Sequence, residues 1–169
     1  MIPTEEQVLI RDMARTFAMK QIAPFAAEWE DQAHFPTEVF KAMGKLGLMG
    51  MTVPQEWGGA GLDYVTYAMA LEEIAAGDGA VAIVMSGHNS VGCMPILEYG
   101  TQVQKEQYLR PLAQGELLSA FALTEAKGGS DAGALATRSE RDGNGYIING
   151  GKQFITTGKN ANLALVFAV

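Results

Sequence analysis

The feature that most constrains the fold is a change in the spacing of apolar residues near Gly115. From Thr4 onward, apolar residues first recur at the intervals of amphipathic helices. From Leu118 onward they alternate with neighbouring residues, which is typical of strands. Helices followed by strands predict an α+β protein. We expect an all-α N-terminal domain over residues 1–115 and a β domain over residues 116–169.

Capping residues and helix breakers divide the helical part into separate helices. The predicted N-terminal caps are Thr4, Thr37, Asp63, Asp78 and Thr101, with capping boxes at Thr4–Gln7 and Thr101–Gln104. The predicted interruptions are Pro24, Gly47, the Gly50–Gly61 loop, Gly77, Gly92 with Pro95, and Pro111. The sequence therefore predicts several helices joined by short turns and one longer loop.

Turns divide the β part in the same way. The predicted strands are Leu118–Thr124, Ala134–Arg141, Tyr146–Asn149, Gln153–Thr157 and the apolar terminal run Leu163–Val169. The turn Asp142–Gly145 predicts a hairpin between the second and third of these strands. Because no polar residue follows the terminal run, we expect a chain cut inside a core.

Charge and cysteine content exclude several classes of protein. The chain has 12 Lys and Arg against 19 Asp and Glu, a net charge of −7, so we expect no nucleic-acid interface. Cys93 is the single cysteine, which excludes an intramolecular disulfide framework, and we expect no metal site. Residues 1–6 do not have the pattern of a secretory signal. The Gly79–Leu97 stretch is uncharged but contains polar residues, so we interpret it as a buried helix and expect no membrane span.

A glycine-rich loop carries the strongest chemical signal. In Phe121–Asp131 a strand ends in Thr124 and Glu125, and Gly128–Asp131 follows as Gly-Gly-Ser-Asp. Successive backbone N–H groups in such a loop can form a site for an anion. The residues alone leave open that this is only a flexible loop. The segment is neither a P-loop nor a dinucleotide-binding fingerprint.

The Thr124–Asp131 segment resembles the Thr-Glu-Pro-x-x-Gly-Ser-Asp signature of the acyl-CoA dehydrogenase family, and Lys152–Thr156 resembles that family's second flavin-contacting segment. Further blocks that resemble the family, in its order, are Pro54–Leu62, Glu72–Ala75, Asn89–Gly92 and Gly100–Lys105. Two positions depart from the signature: Ala126 replaces its proline and Gly128 replaces a common alanine. Both changes loosen the loop without removing a contacting side chain.

The resemblance implies an α+β fold in which residues 116–169 are the start of an antiparallel β-barrel or sheet domain. It also implies FAD as the cofactor and assigns its contacts. The implied cofactor-binding residues are Phe121, Leu123, Thr124, Gly129, Ser130, Phe154, Ile155 and Thr156. Strand residues and Phe154 would pack at the flavin ring, with Thr124 a candidate hydrogen-bond partner for its polar edge. Gly129 and Ser130 would lie beside the ring and its pyrophosphate, and Ser130 matches a position that also touches the acyl-CoA substrate.

The resemblance also implies the reaction, which is α,β-dehydrogenation of an acyl-CoA thioester to trans-2-enoyl-CoA. A glutamate base removes the α proton, the β hydrogen passes to the flavin as hydride, and an electron-transfer flavoprotein reoxidises the cofactor. In the family that glutamate belongs to the C-terminal helical region, so we expect the base beyond Val169 and no catalytic residue within this chain. The excluded glutamates are Glu72, Glu73, Glu98, Glu116 and Glu125. The family further implies a homotetramer, in fatty-acid or branched-chain amino-acid catabolism, in the bacterial cytoplasm or as a mature mitochondrial form.

Two alternatives remain open at this point. The same scaffold carries acyl-CoA oxidases, nitroalkane oxidases and reduced-flavin monooxygenases, and a chain that lacks the base could instead be a non-catalytic remnant.

Several single residues have both a structural and a functional interpretation. We expect His88 to be a buried, hydrogen-bonded histidine rather than a substrate contact, and Glu125 to organise its loop. We expect Cys93 to be a buried small side chain, and Trp57 to anchor a surface turn. Met85 could border the acyl chain, and Lys105, Lys127 and Lys152 are expected in solvent, with one able to meet a CoA phosphate.

Overall fold

A computed structural model describes residues 2–169. Its helices are α1 (Glu5–Gln21), α2 (Ala26–Asp31), α3 (Thr37–Lys45), α4 (Tyr64–Gly77), α5 (Gly79–Gly87), α6 (Met94–Tyr99), α7 (Gln102–Gln104) and α8 (Arg110–Ala113). Its strands are β1 (Ser119–Ala122), β2 (Arg138–Asp142), β3 (Gly145–Asn149) and β4 (Leu163–Val166). A 3₁₀ turn spans Gln55–Trp57, and two π-helical segments span His88–Cys93 and Lys105–Leu109. The predicted order of helices before strands is confirmed.

Most of the predicted helix starts are confirmed by their capping hydrogen bonds. The side chains of Thr4, Asp63, Asp78 and Thr101 each accept a backbone N–H from the first turn of the helix that follows. The prediction for Thr37 is wrong, because Thr37 is the first residue of α3 and Pro36 occupies the capping position. Gly47, just after α3, has a φ of 76°, the left-handed conformation that ends helices.

The interruptions predicted at two prolines are instead changes in helix type. Pro95 and Pro111 each lie two residues after a π-helical segment, and helix continues through both to Tyr99 and Ala113. In the second segment the Arg110 N–H donates to the Lys105 carbonyl, five residues back. A widened turn leaves one position of the hydrogen-bond ladder without a donor, so a proline placed there breaks no bond.

The strands form two pairs. β1 and β4 are parallel, with Ser119 opposite Leu163, whereas β2 and β3 form the predicted antiparallel hairpin. Val169 connects the pairs, since its N–H donates to the Thr137 carbonyl at 2.9 Å and its carbonyl accepts from the Ser139 N–H at 2.8 Å. The sheet part is therefore mixed rather than purely antiparallel.

Two predicted strands differ from the structure. The first is Ala134–Arg141, of which only the part from Arg138 is strand, because the N–H groups of Ala136 and Thr137 bind the Glu125 carboxylate instead of a neighbouring strand. The predicted strand Gln153–Thr157 is wrong. The segment forms turns, and two of its non-glycine residues have left-handed φ values that no strand allows.

Two buried apolar clusters hold the strands against the helices. The larger one lies between α1, α3, α4 and α5 and includes Leu118, the residue before β1. The second one is formed by Val53, Cys93, Ile96, Leu109, Leu112 and Ala113, with Leu163 of β4 packed against it. The parallel pair β1–β4 is thus fixed to the helical layer at both of its strands.

The helical run Gly79–Tyr99 is the one helix among the described residues that is long and apolar enough to cross a membrane. Half of its most apolar window is buried inside the protein, and α5 packs on α4 and β1. This packing is what we expect of a core helix.

Candidate functional site

A cavity of about 390 Å³ lies between the α5 helical run and the end of β1. Six of the eight residues predicted to contact a flavin line it: Phe121, Leu123, Thr124, Phe154, Ile155 and Thr156. They come from two segments that are about thirty residues apart in sequence. The structure brings both segments to one wall of the cavity, opposite the helix.

Gly129 and Ser130 lie beside the cavity rather than on its wall. A Cβ atom built on Gly129 would be 3.3 Å from Thr124 Cγ2, so the glycine packs directly against a wall residue. Reciprocal backbone hydrogen bonds between Glu125 and Gly128, of 2.8 and 3.2 Å, fold the loop back at this point. Within the described residues the N–H groups of Gly129 and Ser130 have no hydrogen-bond acceptor, which leaves them available to an anion.

Phe154 has an unusual position for an aromatic side chain. It is 88% exposed, and its φ is 58°. Thr157, which also lines the cavity, has a φ of 67°. Left-handed backbone is unfavourable for such residues, and residues that adopt it cluster at functional sites. Here the turn presents an aromatic face to the cavity instead of burying it.

A buried ion pair lies directly behind this wall. Lys152 Nζ is 2.7 Å from Glu125 Oε1, and the two side chains are only 10% and 7% exposed. Glu125 also accepts hydrogen bonds from the N–H groups of Ala136 and Thr137, at 2.6 and 3.0 Å. The Lys152 ammonium, with Thr137 and Ala136, lowers the pKa of Glu125 to about 2. The prediction that Glu125 organises its loop is confirmed, and the prediction that Lys152 is in solvent is wrong.

His88 joins three elements at the back of the cavity. It is 2% exposed, its Nε2 is 2.9 Å from the Leu112 carbonyl oxygen, and its Nδ1 is 3.3 Å from the Ser119 nitrogen. A carbonyl can only accept, so Nε2 carries the proton and Nδ1 accepts from the Ser119 N–H. Burial lowers the pKa of His88. The expected buried, hydrogen-bonded histidine is confirmed, although His88 is also one of the residues that line the cavity.

The helical wall of the cavity contains residues that the sequence did not single out. They are Ile83, Val84, Ser86, Gly87 and Val91, joined by Ser119 and Thr157 from the opposite side. Ile83 and Val91 are exposed apolar side chains. The sequence shows only an uncharged apolar run there, which does not tell its exposed positions from its buried ones. Met85, which could border a ligand, is fully buried in the larger core cluster.

Cys93 and Trp57, the other residues with individual expectations, have structural roles. Burial raises the pKa of the Cys93 thiol to about 12, which leaves it unreactive. The Trp57 ring makes cation–π contacts with two side chains. Lys105 Nζ and Arg110 Cζ each lie 5.8 Å from the centre of the ring. Among residues 2–169 no group of three His, Cys, Asp or Glu side chains could hold a metal ion.

The cavity fits one end of a planar, partly polar cofactor. Its volume falls in the range of ligand pockets, about 300–1,000 Å³. Apolar side chains lie on both walls, threonines supply hydroxyl groups, and Phe154 offers an exposed ring face for stacking. The free N–H groups of the Gly129–Ser130 turn lie next to it. The fold and the cavity together define an α+β protein with a ligand cleft between its helices and its first strand.

Comparison with known proteins shows the family to which this chain belongs. Residues 4–116 match the family model "Acyl-CoA dehydrogenase, N-terminal domain", and residues 120–169 match "Acyl-CoA dehydrogenase, middle domain". The chain belongs to the acyl-CoA dehydrogenase family.

Curated relatives agree with this assignment. The chain is 48% identical to an acyl-CoA dehydrogenase of Bacillus subtilis over 166 residues, which are 98% of this chain and 44% of that protein. It is 43% identical to the mitochondrial short-chain specific acyl-CoA dehydrogenase of Bos taurus over 164 residues, which are 97% of this chain and 40% of that protein. The chain thus spans less than half of the length of these relatives.

Solved structures share the fold closely. A glutaryl-CoA dehydrogenase of Mycobacterium smegmatis in complex with FADH2 matches with a TM-score of 0.93 and 34% identity, over 98% of this chain and 43% of that chain. A chain in the structure of the electron transferring flavoprotein of Acidaminococcus fermentans matches with a TM-score of 0.95 and 41% identity, over 99% of this chain and 44% of that chain. Both are similar to this chain over nearly all of its length.

Proposed function

We propose that this chain forms the flavin-facing part of an FAD-dependent enzyme that oxidises the α,β bond of an acyl-CoA thioester to the trans-2-enoyl-CoA. Residues 1–115 are assigned as the helical domain and residues 116–169 as the first part of the β domain. The observation that carries the proposal is the convergence of six predicted flavin contacts on one cavity. Family membership and the FADH2 complex of a relative support it.

Each wall has a role in this proposal. Thr124 and Thr156 hydrogen-bond the polar edge of the ring, and Phe154 packs against its face. The N–H groups of Gly129 and Ser130 bind the pyrophosphate without requiring positive charge, which suits a chain with a net charge of −7. The apolar face of α5 is left for the acyl group. When bound, FAD supplies the hydride acceptor that no side chain can replace.

The proposal places the catalytic base outside residues 1–169. The described residues that line the cavity include no aspartate or glutamate. Glu125, the nearest signature carboxylate, is already bound to Lys152 and to two backbone N–H groups, so it is a poor proton acceptor. We therefore assign proton abstraction to a part of the enzyme that this chain does not contain.

Partners and location follow from the relatives. We propose an electron-transfer flavoprotein as the electron acceptor, since a closely similar chain occurs in a structure of such a protein. A homotetramer and a role in fatty-acid or branched-chain amino-acid catabolism are proposed from the family resemblance. Bacterial and mitochondrial relatives are both known, and we favour the bacterial cytoplasm.

Titration of the purified protein with FAD tests cofactor binding. We expect quenching of flavin fluorescence with saturation, and we expect Phe154→Ala to weaken binding roughly tenfold, because an aromatic contact contributes about 0.5–1.5 kcal/mol beyond its area. Tyr146→Ala is the matched control, since Tyr146 is also an exposed aromatic but lies on the β2–β3 hairpin. A wild-type protein that binds no FAD would contradict the proposal and favour a non-catalytic remnant.

Anaerobic addition of acyl-CoA tests the reaction. With the protein as its gene encodes it, we expect short-chain acyl-CoA to bleach the bound flavin and an electron-transfer flavoprotein to restore its colour. Rapid reoxidation by air would favour an oxidase or monooxygenase on the same scaffold. No bleaching by any acyl-CoA tested would exclude the dehydrogenase.

A further inference from the structure

The segment that carries Phe154, Ile155 and Thr156 has no regular secondary structure of its own. Within the described residues, only three hydrogen bonds join residues 152–157 to more distant parts of the chain. The Gln153 N–H donates to the Thr124 carbonyl at 2.9 Å. The other two come from Lys152 Nζ. Half of the predicted ring contacts on the strand side of the cavity therefore depend on an anchor at the start of this segment.

The Lys152 ammonium group makes two different contacts. One is with Glu125 Oε1 at 2.7 Å, and the other is with the Leu123 carbonyl oxygen at 3.0 Å. Glu125 keeps two backbone N–H donors without Lys152. Among the described residues, the Leu123 carbonyl has no hydrogen-bond donor other than Lys152. Leu123 itself lines the cavity. Lys152 thus links the two segments of the cavity wall through a backbone atom of one of them.

We infer that Lys152 is a positioning residue for the flavin, which fixes the Leu123–Thr124 edge of the cavity relative to the Phe154–Thr156 edge. This inference rests on the proposed function. A planar ring that touches both edges needs them at a set separation, and irregular backbone does not supply it. A long side chain with three N–H donors can reach both acceptors from a neighbouring segment.

The competing role is purely structural, with Lys152 present only to neutralise a buried carboxylate. The two roles differ in what happens when both charges are removed together. Replacing a buried ion pair by uncharged side chains of similar size is often neutral for stability, whereas removing one partner is costly. The double variant Glu125→Gln/Lys152→Met removes the charge imbalance and also removes the bond to the Leu123 carbonyl.

The experiment compares wild type, Lys152→Met, the double variant and Lys159→Met. Lys159 is an exposed lysine in the neighbouring turn and serves as the control. The measurements are the thermal midpoint without FAD, the Kd for FAD, and the visible absorption spectrum of bound flavin, which responds to hydrogen bonding and packing at the ring. We expect Lys159→Met to match wild type in all three.

For Lys152→Met we expect a lower thermal midpoint and FAD binding that is roughly tenfold weaker. For the double variant we expect the midpoint to recover in part, because the glutamine oxygen can accept from only one of the two backbone N–H groups that Glu125 binds. We expect the weak binding and an altered flavin spectrum to persist. Recovery of affinity and spectrum together with the midpoint would overturn the inference and leave Lys152 a charge partner only. Wild-type protein that binds no FAD would instead refute the proposed function, so the two failures are distinct. If Lys152→Met alone does not fold, the double variant decides the question.

Discussion

At the residue scale, the ionisable groups around the cavity are held in one protonation state by their contacts. Glu125 stays ionised because a cation and two N–H groups surround it, and His88 stays neutral because it is buried and its two ring nitrogens are already used. Removing one partner of such a buried pair leaves the other charge without a counterion, which is costly. In this chain the pair fixes the loop that follows β1.

The shifted pKa of Glu125 predicts a pH dependence of stability. Lys152 and the donors of Thr137 and Ala136 lower this pKa from 4.5 to about 2. The unfolded chain therefore takes up a proton on Glu125 before the folded chain does, and the stabilising contribution is complete above pH 4.5 and is lost as pH falls from 4.5 towards 2. Urea unfolding across this interval should show a steeper loss for wild type than for Glu125→Gln/Lys152→Met. Equal slopes would show that Glu125 makes no such contribution.

At the scale of elements, one residue separates two helices of the core. Asp78 ends α4 with its N–H, which donates to the Ile74 carbonyl at 3.0 Å, and begins α5 with its side chain, which accepts from the Val81 N–H at 2.7 Å. Its extended backbone lets the chain turn between the two helices. The direction of α5, and with it the helical wall of the cavity, depends on this junction.

We expect Asp78→Ala to lower the free energy of unfolding by about 1 kcal/mol, the usual cost of losing an N-cap. Asp78→Asn is the control, because an amide oxygen caps the helix equally well and should keep most of the stability. Chemical denaturation followed by circular dichroism measures both. A loss of the same size in both variants would point to the negative charge rather than the capping hydrogen bond.

Two glycines of the same helical run should respond to alanine in opposite ways. A Cβ atom on Gly92 would collide with the Ser119 side chain, whose Cβ would lie 2.9 Å away, whereas a Cβ on Gly87 meets nothing within 4 Å. We expect Gly92→Ala to cost about 1–3 kcal/mol through overpacking. Gly87→Ala should be neutral or stabilising by about 0.5–1 kcal/mol, because a helix favours alanine. Unfolding midpoints in urea compare the two, and the reverse order would contradict the close packing of this helix on β1.

At the scale of the whole molecule, the strands depend on the helical layer for burial. The β2–β3 hairpin is exposed along most of its length, but Leu118 and Leu163 insert into the two core clusters. Leu112 is fully buried in the second cluster, and its carbonyl accepts the hydrogen bond from His88. The buried side chain of Leu112 and the hydrogen bond to its carbonyl therefore both hold α8 against the helical segment that contains His88.

Leu112→Ala should lower the free energy of unfolding by about 2–5 kcal/mol, through lost burial and the cavity left behind. For a chain of this size each kcal/mol corresponds to roughly 2–4 °C in Tm. Leu9→Ala, on the exposed face of α1, is the control and should stay within about 0.5 kcal/mol of wild type. In urea the midpoint should fall while the slope of the transition is unchanged. A loss at Leu112 no larger than at Leu9 would show that the second cluster contributes little.

The predictions that hold best concern residues close together in the chain. Capping boxes, the Asp142–Gly145 hairpin and the order of helices before strands each depend on neighbours within a few positions, which a sequence pattern displays directly. The predictions that fail involve distant partners. The alternation in Gln153–Thr157 suggests a strand. In the structure Lys152 and Gln153 instead bind the residues that follow β1, and the segment forms turns.

The sequence by itself determined the α+β order of elements, the helix caps and the resemblance to the acyl-CoA dehydrogenase family, because all of these are properties of short segments. Only the tertiary structure decided that two segments share a cavity wall and that Lys152 is buried between them. The bonds that do this join residues 27 and 29 positions apart. Contacts across such distances form only when the whole chain closes, since their partners are selected by packing and not by local pattern.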